Sequence, residues 1–232
     1  MGFFNISTVY VLLSLLLNCK MKKNIRLNFL LLLFINSTSS FAQKTISEGI
    51  LSYTILIEHT DKIKGNIDSA TSIVYLKGDL SRTDLIDALG SETAIVDAKT
   101  GNAVILKQYN GQKLMVSLTR ENWNDKYSRY DGMVFQPTTE TKEIAGYSCK
   151  KTIAQLKNGA SFSVYYVPGI SVFNKEYDPI FKRLPGLPVQ YRFIDGKLAF
   201  DYTLSAFNFD LVPAAKFEIP KSGYRVIPYD AK

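Results

Sequence analysis

From residue 48 onward, apolar and polar side chains alternate with a period of two through most of the chain. That period marks strands with one face turned to a core. Residues 48–59 (EGILSYTILIEH) and 71–78 (TSIVYLKG) are rich in β-formers, with a polar loop expected over 60–70 between them. Residues 79–88 (DLSRTDLIDA) suit either a short strand or an irregular link. Residues 91–118 read as a three-strand meander, turning at DAKTG and at Asn110-Gly111. Asn-Gly favours a two-residue hairpin loop, and Leu114, Val116 and Leu118 beyond it share a face. Over 119–132 the alternation fails, and Trp123, Tyr127 and Tyr130 stand among charges in a short helix or long loop. Alternation returns at 138–144, 149–156 and 160–167. Residues 167–188 are irregular and punctuated by proline, and 189–194 with 197–207 form a last hairpin about Asp195-Gly196. The tail reads as a tied-down extended segment. This pattern predicts an all-β-dominated chain of nine or ten strands with little helix, arranged as a single curved antiparallel sheet or an incomplete barrel.

The segment FKRLPGLPVQYRF (181–193) leads into that hairpin. Pro185-Gly186 suits the centre of a type II turn, with Gly186 at positive φ. Pro188 lacks an amide hydrogen and suits the first residue of a strand or an edge. Val189, Tyr191 and Phe193 then fall on one face, opposite Gln190 and Arg192.

The beginning of the chain follows another pattern. Lys22, Lys23 and Arg26 precede an apolar run over 27–35, and Ser40 and Ala42 are small residues placed for cleavage. Residues 21–42 therefore read as a secretory signal peptide, too short in its apolar part for a span. Residues 1–20 read as an over-called start, with lipidation at Cys19 or an uncleaved anchor as rivals. The predicted mature domain, 43–232, has 190 of the 232 residues and suits one core. Four of the 28 basic residues lie in the leader and none of the 21 acidic ones does, so the mature charge is +3 rather than +7. Nothing in that charge requires nucleic acid. Cys149 is the one cysteine after processing, which excludes an internal disulfide and suggests a buried small side chain.

Catalytic patterns are sparse. The single histidine, His59, provides no zinc triad and no H-E-x-x-H site, and no G-x-S-x-G elbow, P-loop or G-x-G-x-x-G occurs. No cofactor and no metal site is expected. Carboxylates at Glu121, Asp125, Asp131, Asp195 and Asp201 leave a hydrolase using paired carboxylates as one alternative. Aromatic side chains are the positive signal, with 14 Tyr and 14 Phe in the chain. They fill a sheet core, or line a sheet face for an apolar or amphipathic ligand. On the second reading Tyr165, Tyr191 and Phe193 line the face, with Trp123, Tyr127 and Tyr130 as rim or lid. Tyr165-Tyr166 places one tyrosine on each face of its strand.

An ordered set of segments carries a family resemblance. VYLKGDLSRTD (74–84), AIVDAKTGNAVIL (94–106), KEIAGYSCKKTIA (142–154), VYYVPGI (164–170), FKRLPGLPVQYRF (181–193) and FEIPKSGYRVI (217–227) resemble an exported family of Bacteroidota described as DUF4412. It adjoins the family named for its Gly-Leu-Pro-Gly-Leu-Ile motif, from which this chain departs by Pro188 after Leu187. The resemblance implies an exported protein of the periplasm or outer-membrane surface, with a fold like that of periplasmic lipoprotein carriers; strands shorter than a span and the prolines of the later part speak against an integral outer-membrane barrel. The readings that follow are a non-enzymatic envelope protein binding lipid or another amphipath, or a structural or partner-binding envelope protein without a small ligand.

Overall fold

The computed structural model describes residues 44–60 and 67–230. The start 1–20 with Cys19 and the leader 21–42 lie outside the described residues, as does the middle of the 60–70 loop.

Alternation is realised as hairpin upon hairpin. β1 (Lys44–Ile46) is short, and β2 (Glu48–His59), β3 (Ile67–Lys77), β4 (Leu80–Ile86), β5 (Gly90–Asp97), β6 (Ala103–Tyr109) and β7 (Gln112–Leu118) follow in a meander. After a break come β8 (Val134–Ile144), β9 (Tyr147–Gln155), β10 (Ser161–Pro168), β11 (Ile170–Val172), β12 (Gly186–Asp195), β13 (Leu198–Asn208) and β14 (Arg225–Val226). The ambiguous 79–88 segment is a strand, and β3 begins inside the stretch expected as loop. Between β6 and β7, Asn110 and Gly111 take φ of 51° and 74°, as a two-residue hairpin loop requires. Twelve strands form one curved sheet in the order β14-β7-β6-β5-β4-β3-β2-β13-β12-β10-β9-β8. It is antiparallel except for the β14–β7 pair, and it remains open, with β14 and β8 at its edges. β1 and β11 form a separate parallel ribbon.

Residues directly opposite in such a sheet share a face, so the register defines two faces. Tyr191, Tyr202 and Ile55 lie in one row, and Tyr53, Ser72, Leu85 and Glu92 lie on the same face. This inner face carries the largest core cluster, which includes Leu51, Tyr53, Val74, Val164, Leu187 and Val189. Ile46 and Val172 of the ribbon, with Phe181 and Leu184 of the 167–188 stretch, cover it. Farther along, Val96, Ala103, Ile105, Val116 and Leu118 pack beneath a short helix, α1 (Arg120–Lys126). Thr119 caps that helix by accepting from Asn122 N–H, and the Asn122 side chain accepts in return from the Thr119 N–H. The tail covers the other face: Val212 and Phe217 pack on Ile95, Val104 and Leu106. Lys77 fixes it there by donating to Val212 O at 2.8 Å, and Arg82 by donating to Lys216 O at 2.9 Å.

The Pro185-Gly186 turn needs correction. Gly186 is not at positive φ and opens β12. The tight turn lies upstream, where Leu184 N–H donates to Phe181 O at 3.0 Å. Glycine is required at 186 for space instead: a Cβ there would lie 2.3 Å from Val167 O and 2.5 Å from the Tyr166 ring. Pro188 is the third residue of β12, opposite Tyr166, where a bulge between Tyr165 and Tyr166 absorbs its missing donor.

Candidate functional site

Between the two covers of the inner face, part of the sheet stays open as a cleft of about 470 Å³. Its floor is Tyr53, Ser72, Val74, Thr83, Leu85 and Ala94, from β2 to β5. One wall is Lys126, Tyr127, Arg129 and Tyr130, at the end of α1 and in the 3-10 turn Ser128–Tyr130. A second wall is Tyr177, Asp178, Pro179 and Ile180, from two 3-10 turns, Lys175–Tyr177 and Pro179–Phe181. Tyr191, Phe193 and Tyr202 complete it from the last hairpin.

The hairpin residues form an aromatic platform, because β12 and β13 place Tyr191 opposite Tyr202 and Phe193 opposite Phe200. Tyr191 and Tyr202 stack with centroids 4.7 Å apart and planes 12° apart, and Phe193 and Phe200 stack at 5.3 Å. Phe181 meets Tyr191 edge-on at 4.7 Å. Tyr53 reaches across to donate to Pro188 O at 2.9 Å. Such contacts hold the rings in place.

Asp178 is half-buried in this wall of rings. Desolvation pushes its carboxyl up to about 7, against the opposing effect of the nearby Ile180 and Phe181 N–H groups, of which Ile180 N–H donates to it. Burial, helped by the nearby Asp178 carboxyl, also holds the hydroxyls of Tyr53, Tyr127, Tyr191 and Tyr202 above the ordinary tyrosine range.

A second opening adjoins the cleft, and Arg129, Tyr130 and Phe193 line both. It has about 410 Å³ and lies where β10 and β12 part. Their register runs from Pro168↔Gly186 to Val164↔Tyr191 and stops there. Beyond that point Ser161, Phe162 and Ser163 pair with β9 on their far side, and Arg192 to Asp195 pair with β13 on theirs. Among the described residues no strand lies between the facing edges of these segments, so a short seam runs into the sheet beside the cleft.

The sequence-derived site residues are distributed unevenly. Tyr127, Tyr130, Tyr191 and Phe193 all line the cleft. Trp123 is only 3 % exposed and lies under the wall, packed edge-on against Tyr127 at 5.0 Å. It is a core residue of α1, not a lid, and its indole Nε1 has no hydrogen-bond partner among the described residues. Tyr165 lies on the other face, opposite Gln190, with its hydroxyl donating to Glu140 and its ring near Lys142 and Lys151. The alternation assigns a face within a strand, but the pairing that joins Tyr165 to Gln190 is invisible to it. Pro185 and Gly186 lie outside the cleft. Tyr53, Tyr177, Asp178 and Tyr202 were not singled out from sequence. The Asn and Asp-Pro of NKEYDPIF (174–181), at Asn174 and Asp178-Pro179, are turn-initiating signals that bear on two of these.

Of the five carboxylates weighed for hydrolysis, Asp195 alone lines the cleft, and Arg129 engages it at 3.3 Å. Asp201 pairs with Arg192 at 2.8 Å on the other face, and Asp125 accepts from the Tyr229 hydroxyl. His59 sits at a strand end, opposite Leu198. Among the described residues no group of three or more His, Cys, Asp or Glu is placed to hold a metal ion. Among the same residues no helix is long and apolar enough to cross a membrane, which says nothing of a β-barrel.

No family model matches the chain, and no curated protein matches it. Solved structures with similar strand arrangements include PNGF-II, at 16 % identity and TM-score 0.43 over 79 % of this chain. MucB is similar at 12 % identity and TM-score 0.38 over 78 % of this chain. A LolA superfamily protein from Nitrosomonas europaea is similar at 8 % identity and TM-score 0.33, over 76 % of this chain and 91 % of that one. The chain spans 31 % of the PNGF-II chain and 60 % of the MucB chain. Likenesses this weak carry no statement about activity, ligand or partner.

Proposed function

We propose that this protein is a non-enzymatic, exported envelope protein that binds a partner polypeptide, holding an extended segment of it in the seam and cleft. One observation carries this reading: the seam between β10 and β12 adjoins the tyrosine-lined cleft, with Arg129, Tyr130 and Phe193 lining both. Strand edges without a neighbour offer backbone donors and acceptors, and alternate side chains of an added strand drop into adjoining pockets. The covered inner face argues in the same direction. The ribbon, α1 and the 3-10 turns occupy the ground that a lipid chain would need. Export rests on the leader pattern at 21–42, and the intact mass of protein from its native envelope should correspond to a chain beginning at Gln43. A retained Met21 or a lipid on Cys19 would contradict that.

The decisive experiment places a benzophenone amino acid at Ile194, which is 61 % exposed and lines the seam. Leu56, exposed on β2 two strands away and lining neither opening, is the control. Irradiation in the native envelope should give a polypeptide adduct from position 194 and none from position 56. Adducts from neither, or from both alike, would overturn the reading. A second reading has its own support, since about 470 Å³ with an aromatic lining is within the range of small-ligand sites, roughly 300–1,000 Å³. A lipid adduct in place of a polypeptide at position 194 would favour it.

A further inference from the structure

Asp178 is the part of the cleft that folding alone does not explain. It caps the Pro179–Phe181 turn by accepting from Ile180 N–H at 3.2 Å. An asparagine caps equally well, and one does so four residues earlier: Asn174 accepts from Glu176 N–H at 2.9 Å and donates to Asp79 O at 2.9 Å. The carboxyl at 178 therefore adds a charge that the turn does not need. Among the described residues no cation is paired with it. Arg129 is engaged by Asp195 at 3.3 Å, Lys107 by Glu92 at 3.0 Å, and Lys126 lies by the Tyr127 ring at 5.8 Å. What surrounds Asp178 instead is a set of tyrosine rings, among them Tyr53, Tyr177, Tyr191 and Tyr202. A carboxylate among aromatic rings is the chemistry that receives an ammonium or guanidinium group. The anion gives a charge-assisted hydrogen bond and the rings attract the cation electrostatically.

We infer that the cleft receives a lysine or arginine side chain of the bound segment, its cation paired with Asp178 and flanked by the tyrosine rings. This rests on the polypeptide-binding reading: the seam takes the backbone, and the cleft beside it takes one basic side chain.

The test uses blocked pentapeptides of alternating valine and threonine, carrying lysine, arginine, norleucine or glutamate at the centre. Calorimetric titration of the purified protein at pH 8 reads their affinities. The lysine and arginine peptides should bind at least about ten-fold more tightly than the norleucine and glutamate peptides, the scale of one charge-assisted hydrogen bond. Asp178→Asn should abolish that preference, bringing the lysine and arginine peptides to the affinity that the norleucine peptide has for the same variant. If all four peptides bind alike, or the preference survives Asp178→Asn, the inference falls and polypeptide binding stands. If none binds, the inference falls together with the reading beneath it.

Discussion

Replacing Asp178 by asparagine should make the fold more stable at alkaline pH, and the size of the gain follows from the cleft. The carboxyl is moved from its ordinary 3.8 to about 7, chiefly by desolvation. At about 1.36 kcal/mol for each tenfold change in ionisation, a fully formed anion costs the native state about 4 kcal/mol at most. Asp178 is half-buried and water reaches it through the cleft, which reduces that figure. Asparagine keeps the oxygen that accepts from Ile180 N–H but brings an amide that must find its own partner, at a cost of about 1 kcal/mol. The net gain for Asp178→Asn is then about 1–3 kcal/mol above pH 8.

The sign follows from where the proton is held. The native state keeps it up to about pH 7, whereas the unfolded chain releases it near 3.8. This contribution therefore favours the fold fully below pH 4, declines between 4 and 7, and is absent above. The other groups facing the cleft are Glu92, Lys126, Arg129, Asp195 and the tyrosines, and they are common to both proteins. The difference between variant and parent thus isolates residue 178. Urea denaturation at pH 5, 7 and 8.5 is the assay. At pH 8.5 the variant midpoint should lie higher by about 0.5–1.5 M, for a slope near 2 kcal/mol/M, and at pH 5 the two should nearly coincide. A difference that does not change with pH, or a variant less stable at pH 8.5, would refute the reasoning.

Gly186→Ala should destabilise the fold by roughly 1–3 kcal/mol, because its Cβ meets the Val167 carbonyl and the Tyr166 ring; an unchanged denaturation midpoint would exclude that contact. Cys149 is fully buried and burial pushes its thiol up, so it should react with a thiol reagent far more slowly in the native than in the unfolded protein. Cys149→Ser should cost about 1–3 kcal/mol for a hydroxyl placed in that core, and equal reaction rates in both states would contradict the burial.

The alternation announced the hairpins because strand faces are written locally, residue by residue. Val189, Tyr191 and Phe193 are on one face for that reason, and Asn110-Gly111 turns where a two-residue loop must. Along the chain Pro185 is the neighbour that gives Gly186 a turn role, yet its role is set by Val167 and Tyr166 of another strand. Tyr165 and Tyr191 look equivalent along the chain, and the register separates them, pairing Tyr165 with Gln190 across the bulge. Trp123 stands among charged residues, and only the apolar patch of β5 to β7 beneath it shows why it turns inward. Long-range pairing is what the local pattern does not contain.

The same limit bears on where a site forms in a sheet such as this. A strand face repeats every two residues, so by itself it offers rows of similar side chains and no single distinguished point. The distinguished points here come from segments that do not alternate: the turn after α1 and the 174–181 stretch, each laid across the inner face. They bring Arg129 and Asp178 into the walls of one cleft, with rings supplied by the hairpin of β12 and β13. The difference between those walls is physical. Arg129 has its counter-charge in Asp195, from the same hairpin. Asp178 has capping N–H groups and aromatic edges, and no counter-charge among the described residues. A fold selected for stability alone would place asparagine at 178, as it does at 174. The carboxyl that costs stability in the wall of the cleft is therefore the residue whose replacement should separate binding from folding: the same Asp178→Asn variant that gains stability in urea should lose its preference for a basic side chain.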